Sequence, residues 1–438
     1  MRSKSDKKKS LVPRLRFPEF REAGAWGVKR LGEIYRFKPT NSWSRDQLNY
    51  DSGTIKNIHY GDIHKELNRT FRIDDEVVPY VNDTLADSVK EDAFCEEGDI
   101  VLADASEDVD DIGKAIEIVD IGGQRLVSGL HTILASRIDH RIVVGFGAYL
   151  YASSGVRKQI QQRAQGAKVL GISKTQLAEV ELAYPTEARE QQKIAHCLSS
   201  LDEVMGLQAK KVQALKQHKK GLMQQLFPAE GETTPRLRFP EFREAGAWEV
   251  KELIKLAGRG TERNQKGKIK RVLTNSAEHG VLDQREYFDK DIAIQGNLEN
   301  YFVVDQGDFV YNPRISSFAP VGPISRNDVG KGVMSPLYTV FSFRQSDTDF
   351  FAHYFNSSAW HSYMRKVGST GARHDRMAIS NSDFLAMPLS VPNPKEQQKI
   401  AHCLSSLDEV IGLESHKLDA LKNLKKGLMQ QLFPQDVA

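Results

Sequence analysis

The sequence predicts a tandem-repeat protein with two globular blocks and two long helices that pair antiparallel. Three observations predict this architecture. The fourteen-residue segment PRLRFPEFREAGAW occurs at 13–26 and again at 235–248. A second repeat joins 190–228 to 396–434, with 31 of its 39 positions identical. Both copies of this second repeat have an apolar heptad pattern, whereas the blocks between the repeats differ in sequence.

The composition is that of a globular protein. The chain has 438 residues, of which 40% are hydrophobic and 27% charged, enough for two to four domains of ~100–200 residues. Wholesale disorder and collagen-like sequence are excluded. No apolar run approaches the roughly 18 residues of a membrane span, and the basic N-terminus leads into no apolar signal segment. We therefore expect a cytoplasmic protein with no membrane attachment.

The sequence offers no catalytic constellation. Its three cysteines, Cys95, Cys197 and Cys403, form no CxxC pair, and no histidine cluster has ligand spacing. We therefore expect no disulfide framework and no metal site. An Asn/Asp-Pro-Pro-aromatic motif, a glycine-rich cofactor loop and a GxxxxGK[ST] phosphate loop are also missing from the sequence.

The two variable blocks share short landmarks in the same order. Block 1 covers 27–189 and block 2 covers 249–395. GDIV at Gly98 corresponds to GDFV at Gly307, and Ser128-Gly-Leu-His corresponds to Ser335-Pro-Leu-Tyr. We predict one fold for both blocks, with different surfaces. The predicted division of the chain is a globular domain at 1–184, a helix at 185–230, a second domain at 231–392 and a second helix at 393–438.

The second repeat predicts a coiled-coil helix in each copy. Steps of four and three residues select ten positions per copy, of which eight are apolar. The first copy gives Ile194, Leu198, Leu201, Met205, Gln208, Val212, Leu215, Lys219, Leu222 and Leu226; the second gives Ile400, Leu404, Leu407, Ile411, Glu414, Leu418, Leu421, Lys425, Leu428 and Leu432.

The ends of these helices are also encoded. Asn393 and Glu396 predict a capping box, and Pro228 and Pro434 end the helices. An antiparallel pair needs the least connecting chain. The alternative is that each helix packs on its own block as ordinary core.

The distribution of charge is more informative than the net charge of +3. Residues 74–111 contain fifteen acids and one lysine, so this stretch would repel phosphate. Residues 140–178 contain six cations and no acid. The loops at 165–168 and 369–376 combine glycine with cationic or polar tips, which suits close approach to a nucleic acid. Taken singly, such a loop is more often a solvated turn, but the recurrence of the element in both halves favours a role in binding.

Fifteen side chains are candidates for DNA contact, because they are cationic, aromatic or polar groups in such loops or at strand ends. They are Tyr60, His64, Lys158, Arg163, Lys168, Ser173, Lys174, Asn275, Ser276, Arg314, Ser316, Arg365, Arg373, His374 and Arg376.

The repeats themselves carry a family resemblance. Two copies of EQQKIAHCLSSLDEV followed by KKGLMQQLFP, each with an RLRFPEF segment and a GD(I/F)V landmark, resemble the specificity (S) subunit of type I restriction-modification enzymes. The resemblance covers nearly the whole chain. It implies two mixed α/β (α+β) target-recognition domains, each binding one half of a bipartite, asymmetric DNA target. The antiparallel helices would set the spacer between the half-sites.

The resemblance also implies partners and cofactors. Two methyltransferase subunits would methylate adenine with S-adenosylmethionine, and endonuclease subunits that translocate DNA would use ATP and Mg. This chain itself would bind double-stranded DNA, hold no cofactor and catalyse nothing. Recognition domains of this family vary too widely to transfer base contacts, so the fifteen candidates rest on residue type alone. Two alternatives remain: a stand-alone DNA methyltransferase with a degenerate cofactor site, and a coiled-coil adaptor whose blocks bind proteins.

Overall fold

The computed structural model of the chain describes residues 11–65, 67–287, 298–370 and 375–435. The chain divides into two compact units. The first unit is Met1–Ala209 with His416–Ala438, and the second is Lys210–Ser415. Each unit therefore contains one block, the start of the long helix that follows the block, and the end of the other long helix. Within the described ranges, no helix is both long enough and apolar enough to cross a membrane.

Block 1 is built on a five-stranded sheet. Its strands lie in the order Tyr35–Lys38, Thr132–Arg137, Ile100–Ala103, Ala115–Asp120 and Thr70–Arg72, antiparallel except for the last pair. A four-stranded sheet has the order Arg125–Ser128, Ile55–Ile58, Tyr80–Val81 and Leu48–Asn49, and two-stranded sheets join Gly27–Arg30 to Glu181–Tyr184 and Ala105–Ser106 to Leu170–Gly171. The short helices are Leu31–Ile34, Tyr60–Lys65, Asp83–Ala86, Gly147–Ala152, Ser154–Arg163 and Lys174–Ala178.

Block 2 repeats this plan around a four-stranded sheet. The order is Ala257–Arg259, Thr339–Phe343, Phe309–Tyr311 and Ile324–Arg326. Two-stranded sheets join Glu249–Glu252 to Pro388–Val391, Leu273–Ser276 to Gly280–Asp283, Phe302–Val304 to Gly332–Met334, and Ser369–Thr370 to Met377–Ala378. The short helices are Leu253–Leu256, Gln284–Tyr287, Asp349–Phe355, His361–Val367 and Asn381–Leu385.

The shared landmarks mark the same turn in both blocks. Gly98 and Gly307 have φ angles of +88° and +90°, a conformation that glycine adopts without strain. The aspartate that follows each glycine, Asp99 or Asp308, accepts the N–H three residues earlier at 3.0 or 2.8 Å. The next residues enter the buried central strand of each sheet. The two blocks therefore use one scaffold, with the same turn leading into the same strand.

The long helices are Ala188–Leu226 and Pro394–Leu432, each 39 residues long. All twenty heptad positions predicted from the sequence are buried or half-buried. In the second unit, Lys211 pairs with Glu414 and Lys219 with Asp408. From the first pair to the second, the residue number rises along one helix and falls along the other, so the antiparallel pairing is confirmed. The alternative also holds in part, because the first turns of each helix lie in the core of their own block.

Aromatic residues from both repeats form the centre of each core. In the first unit, Phe433 packs against Trp26 with ring centroids 5.8 Å apart, and against Phe146 at 5.7 Å. In the second unit, Phe227 lies 6.4 Å from Trp248. The LFP at the end of each long helix thus meets the tryptophan that ends a copy of the fourteen-residue segment.

The capping-box prediction is wrong at Glu396. Asn393 does cap the second long helix by accepting the Glu396 N–H at 3.0 Å. The Glu396 carboxylate instead accepts two hydrogen bonds from the Arg238 guanidinium, each at 2.7 Å. In the first copy, Glu190 accepts two from Arg16 at 2.7 and 2.6 Å. A charge-assisted bidentate pair is stronger than a neutral cap, which explains the change of partner.

Candidate nucleic-acid interface

Two distant candidates of block 2 come together in the structure. The loop after strand Phe309–Tyr311 lies antiparallel to residues 375–377. Ile315 donates its N–H to the Asp375 carbonyl at 2.9 Å, and Met377 donates to the Pro313 carbonyl at 2.8 Å. Arg314 and Arg376 consequently face each other across a β-bridge. Arg314 is exposed and Arg376 is half-buried, so the pair forms a cationic edge of the block.

Buried amides hold this loop in place. The Asn275 amide donates to the Val310 carbonyl at 2.8 Å, and the Asn312 amide donates to the Asn275 carbonyl at 2.8 Å. Gly322 ends the loop with φ +81°, and a Cβ there would lie 2.2 Å from the Asn312 carbonyl oxygen. Only glycine fits this position. The loop therefore has little freedom, which suits side chains that must meet a ligand in fixed geometry.

The burial of Asn275 argues against its predicted contact with DNA. Its side chain is 2% exposed and donates to backbone, so it supports the loop and we remove it from the candidate interface. Ser276 and Ser316 are nearer the surface, but each shapes a turn. The Ser276 hydroxyl accepts the N–H of His279 at 3.3 Å, and that of Ser316 accepts the Ala319 N–H at 3.2 Å.

Sequence reasoning missed Phe318. This ring stands on the same loop as Arg314 and is 72% exposed. It borders a cavity of about 570 Å³ together with the turn at 277–280. An exposed aromatic ring on the loop that carries Arg314 can contact a thymine methyl group or a base face. Its only sequence signal was its place in the run after the GDFV landmark.

Block 1 has the same bridge with different side chains. Strand Ala105–Ser106 pairs with Leu170–Gly171, and Ala105 lies opposite Gly171. These two residues occupy the places that Arg314 and Arg376 occupy in block 2. The same scaffold thus presents two small side chains in one block and two guanidinium groups in the other.

Aromatic and imidazole rings gather beside the bridge of block 1. The Tyr60 ring centroid lies 5.8 Å from that of His64 and 5.2 Å from that of His131. The His64 Nε2 lies 3.1 Å from the Ala105 carbonyl oxygen, and the His131 Nδ1 lies 3.3 Å from Asp104. The predicted Tyr60 and His64 therefore lie in one cluster with His131, which the sequence analysis noted only as part of the Ser128-Gly-Leu-His landmark.

Several other candidates have structural partners. Ser173 caps a helix by accepting the Gln176 N–H at 3.2 Å. Arg163 donates to two backbone carbonyls at 3.1 and 3.4 Å, and Lys174 donates to one at 3.3 Å. These bonds tie the three side chains to other groups of block 1.

The remaining candidates differ in setting. Arg365 forms a half-exposed ion pair with Glu230 at 2.9 Å. Lys158 and Lys168 are exposed in block 1, on a helix and in a loop. Arg373 and His374 lie outside the described residues. We keep Lys158, Lys168 and Arg365 as candidates separate from the two clusters above.

Comparison with known proteins agrees with this architecture. Residues 256–423 match the family model described as the type I restriction modification DNA specificity domain. A putative type I restriction enzyme specificity subunit, MjaX, from Methanocaldococcus jannaschii is 24% identical over 436 residues, which covers 93% of this chain and 92% of the relative.

Two solved structures share the fold. The S subunit of a type I restriction-modification system from M. genitalium has a TM-score of 0.55 at 13% identity, covering 98% of this chain and all of its own. A chain from a structure on complex assembly and conformational transition of the type I system has a TM-score of 0.52 at 15% identity, covering 94% of this chain and 98% of its own. With its two blocks, its paired helices and a match over residues 256–423, the chain is similar to the specificity subunits of type I restriction-modification systems.

Proposed function

We propose that each block of this specificity subunit binds one half of a bipartite, asymmetric DNA target. The observation that supports this most strongly is the shared β-bridge, where Arg314 and Arg376 replace Ala105 and Gly171. Guanidinium groups favour guanine edges in the major groove, and small side chains do not provide that contact. Two blocks with one scaffold and different chemistry at one position would select different half-sites.

The partners follow from the same proposal. Two methyltransferase subunits bind the chain and methylate adenine with S-adenosylmethionine, and endonuclease subunits join them with ATP and Mg. The long helices favour two identical partner subunits, because each helix exposes apolar residues of the same type at equivalent positions. Val204 and Leu207 are 47% and 63% exposed on the first helix, and Val410 and Leu413 are 41% and 70% exposed on the second. The chain contributes sequence reading and no chemistry.

The test is methylome sequencing of a host that carries the chain with its methyltransferase. We expect one bipartite motif with unlike halves. Arg314→Ala and Arg376→Ala should each weaken target binding by ~1–3 kcal/mol if the guanidinium makes a bidentate base contact, and should relax one half-site only. Lys251→Gln is the control, because Lys251 lies on the separate strand pair of block 2 and is bound to Glu249.

Unchanged methylation at both half-sites in Arg314→Ala and Arg376→Ala would reject this interface. The two alternatives have their own readouts. Binding of S-adenosylmethionine by the isolated chain would favour a stand-alone methyltransferase. Absence of a salt-dependent gel shift with the methyltransferase present would favour a protein adaptor.

A further inference from the structure

A cationic cavity lies in the first unit, and none of the residues that line it is among the candidates proposed above. It measures about 580 Å³ and is bordered by the loop at 67–70, by Lys114, and by the last turns of the second long helix. Five cations line it, namely Arg69, Lys114, Lys422, Lys425 and Lys426, against one carboxylate, Asp202. We propose that this cavity binds backbone phosphates of the DNA duplex, next to the bases that block 1 contacts.

The positive charge of the cavity is only partly neutralised. Asp202 is engaged by Lys425 and also accepts the Tyr149 hydroxyl at 2.9 Å. Lys425 is 13% exposed, and its ammonium group lies 5.4 Å from the Tyr149 ring centroid. One carboxylate thus balances one buried lysine, and the exposed cations Arg69 and Lys426 are left to face an anion.

Two cations in this part of the first unit, Lys425 and Arg157, are affected by burial and by the charge of Arg69. Burial lowers the pKa of Lys425 and of Arg157, and the positive charge of Arg69 lowers both further. The Arg157 Nη1 is buried without a hydrogen-bond partner among the described residues. An anion in the cavity would offset this unfavourable setting for positive charge.

The position of the cavity favours DNA as the source of the phosphate. The Lys114 ammonium donates to the His64 carbonyl at 2.6 Å, and His64 belongs to the ring cluster of the proposed interface. A cavity of this size accommodates phosphodiester groups and is small for a protein helix about 10 Å across. Contacts to phosphate position a protein on the duplex without reading sequence.

Block 2 provides a matched control. Lys220 occupies the position of Lys426 in the first copy of the long helix and is also exposed. The residue after Gly322, which corresponds to Lys114 after Gly113, is Pro323. A lysine in the same helical context can therefore be removed from a unit that has no counterpart of Lys114.

The experiment measures DNA affinity of the full chain with its methyltransferase over a series of KCl concentrations. Arg69→Gln and Lys426→Gln should each make the slope of log K against log salt less steep by about 1, for target and non-target duplexes alike. Lys220→Gln should leave the slope unchanged. Both substituted side chains are exposed, so folding should be unaffected, and far-UV circular dichroism checks this.

Three outcomes overturn the inference. Parental slopes in Arg69→Gln and Lys426→Gln would show that no phosphate binds there. An equal change of slope in Lys220→Gln would show that lysines of both long helices contribute to DNA binding in general, and that the cavity has no special part in it. Loss of methyltransferase capture with unchanged DNA slopes would assign the cavity to an acidic protein segment. This inference rests on the proposed function, but different results would reject each of them. If the unsubstituted chain binds target and non-target duplexes equally well, the proposed function is rejected, whatever the variants show.

Discussion

Removal of Arg238 tests how the repeated segment is joined to the repeated helix. Arg238 and Glu396 are 8% and 1% exposed, and the guanidinium binds both carboxylate oxygens at 2.7 Å. The same guanidinium donates to the Gly246 carbonyl at 3.1 Å. In Arg238→Ala the Glu396 carboxylate stays buried and loses its counter-charge.

The magnitude follows from burial. Removing one partner of a buried ion pair costs ~3–5 kcal/mol, because the remaining charge is uncompensated. The neighbouring pair Lys399–Glu241 joins the same two segments, but its side chains are 51% and 47% exposed. Its loss should cost ~0–1 kcal/mol. We therefore expect Arg238→Ala to be several-fold more destabilising than Lys399→Ala.

Urea unfolding gives the free energies, and hydrogen exchange locates the effect. Arg238→Ala should accelerate exchange in 235–248 and leave 13–26 unchanged, whereas Arg16→Ala should do the reverse. The double variant R238M/E396M should recover most of the loss, since no buried charge remains. Equal unfolding free energies for Arg238→Ala and Lys399→Ala would refute the reasoning.

Three further predictions follow from single contacts. In a double-mutant cycle, Lys219→Ala and Asp408→Ala should show a coupling of about 0.5–1 kcal/mol, reduced by salt, and zero coupling would mean that the pair does not stabilise the helix pairing. Burial raises the pKa of Glu117 to about 7 from its usual 4.5. The contribution of Glu117 to the free energy of unfolding is therefore fully present below pH 4.5 and falls by about 3 kcal/mol as the pH rises to 7. Glu117→Gln should remove this part of the pH dependence measured by urea unfolding, and an unchanged pH profile would contradict the prediction. Gly322→Ala should destabilise the second unit by over ~1 kcal/mol, because its Cβ collides with the Asn312 carbonyl, and wild-type thermal stability with wild-type DNA affinity would contradict the loop geometry.

The heptad seam shows what could be predicted from the sequence. Its twenty positions are all buried or half-buried in the structure, because helical periodicity is local and each copy encodes it independently. The polar interruptions were visible too. Their partners were not, since Lys219 meets Asp408 only once the antiparallel register is set.

The candidate interface shows the opposite case. Asn275 follows a strand and has the right chemistry for a base contact, yet three-dimensional packing buries it beneath the loop at 312–322. The contact between Arg314 and Arg376 depends on a β-bridge between distant segments, and a single sequence carries no signal for such pairing.

The sequence by itself determined the duplicated plan, the two long helices, their antiparallel pairing and the single fold shared by two dissimilar blocks. Repeats and periodicities are written in the order of residues, so they can be recognised before folding is known. Only the tertiary structure decided that Glu396 binds Arg238, that Asn275 is interior, and that five cations border one cavity. These facts depend on which distant segments exclude water from one another, and packing settles that for the whole chain at once.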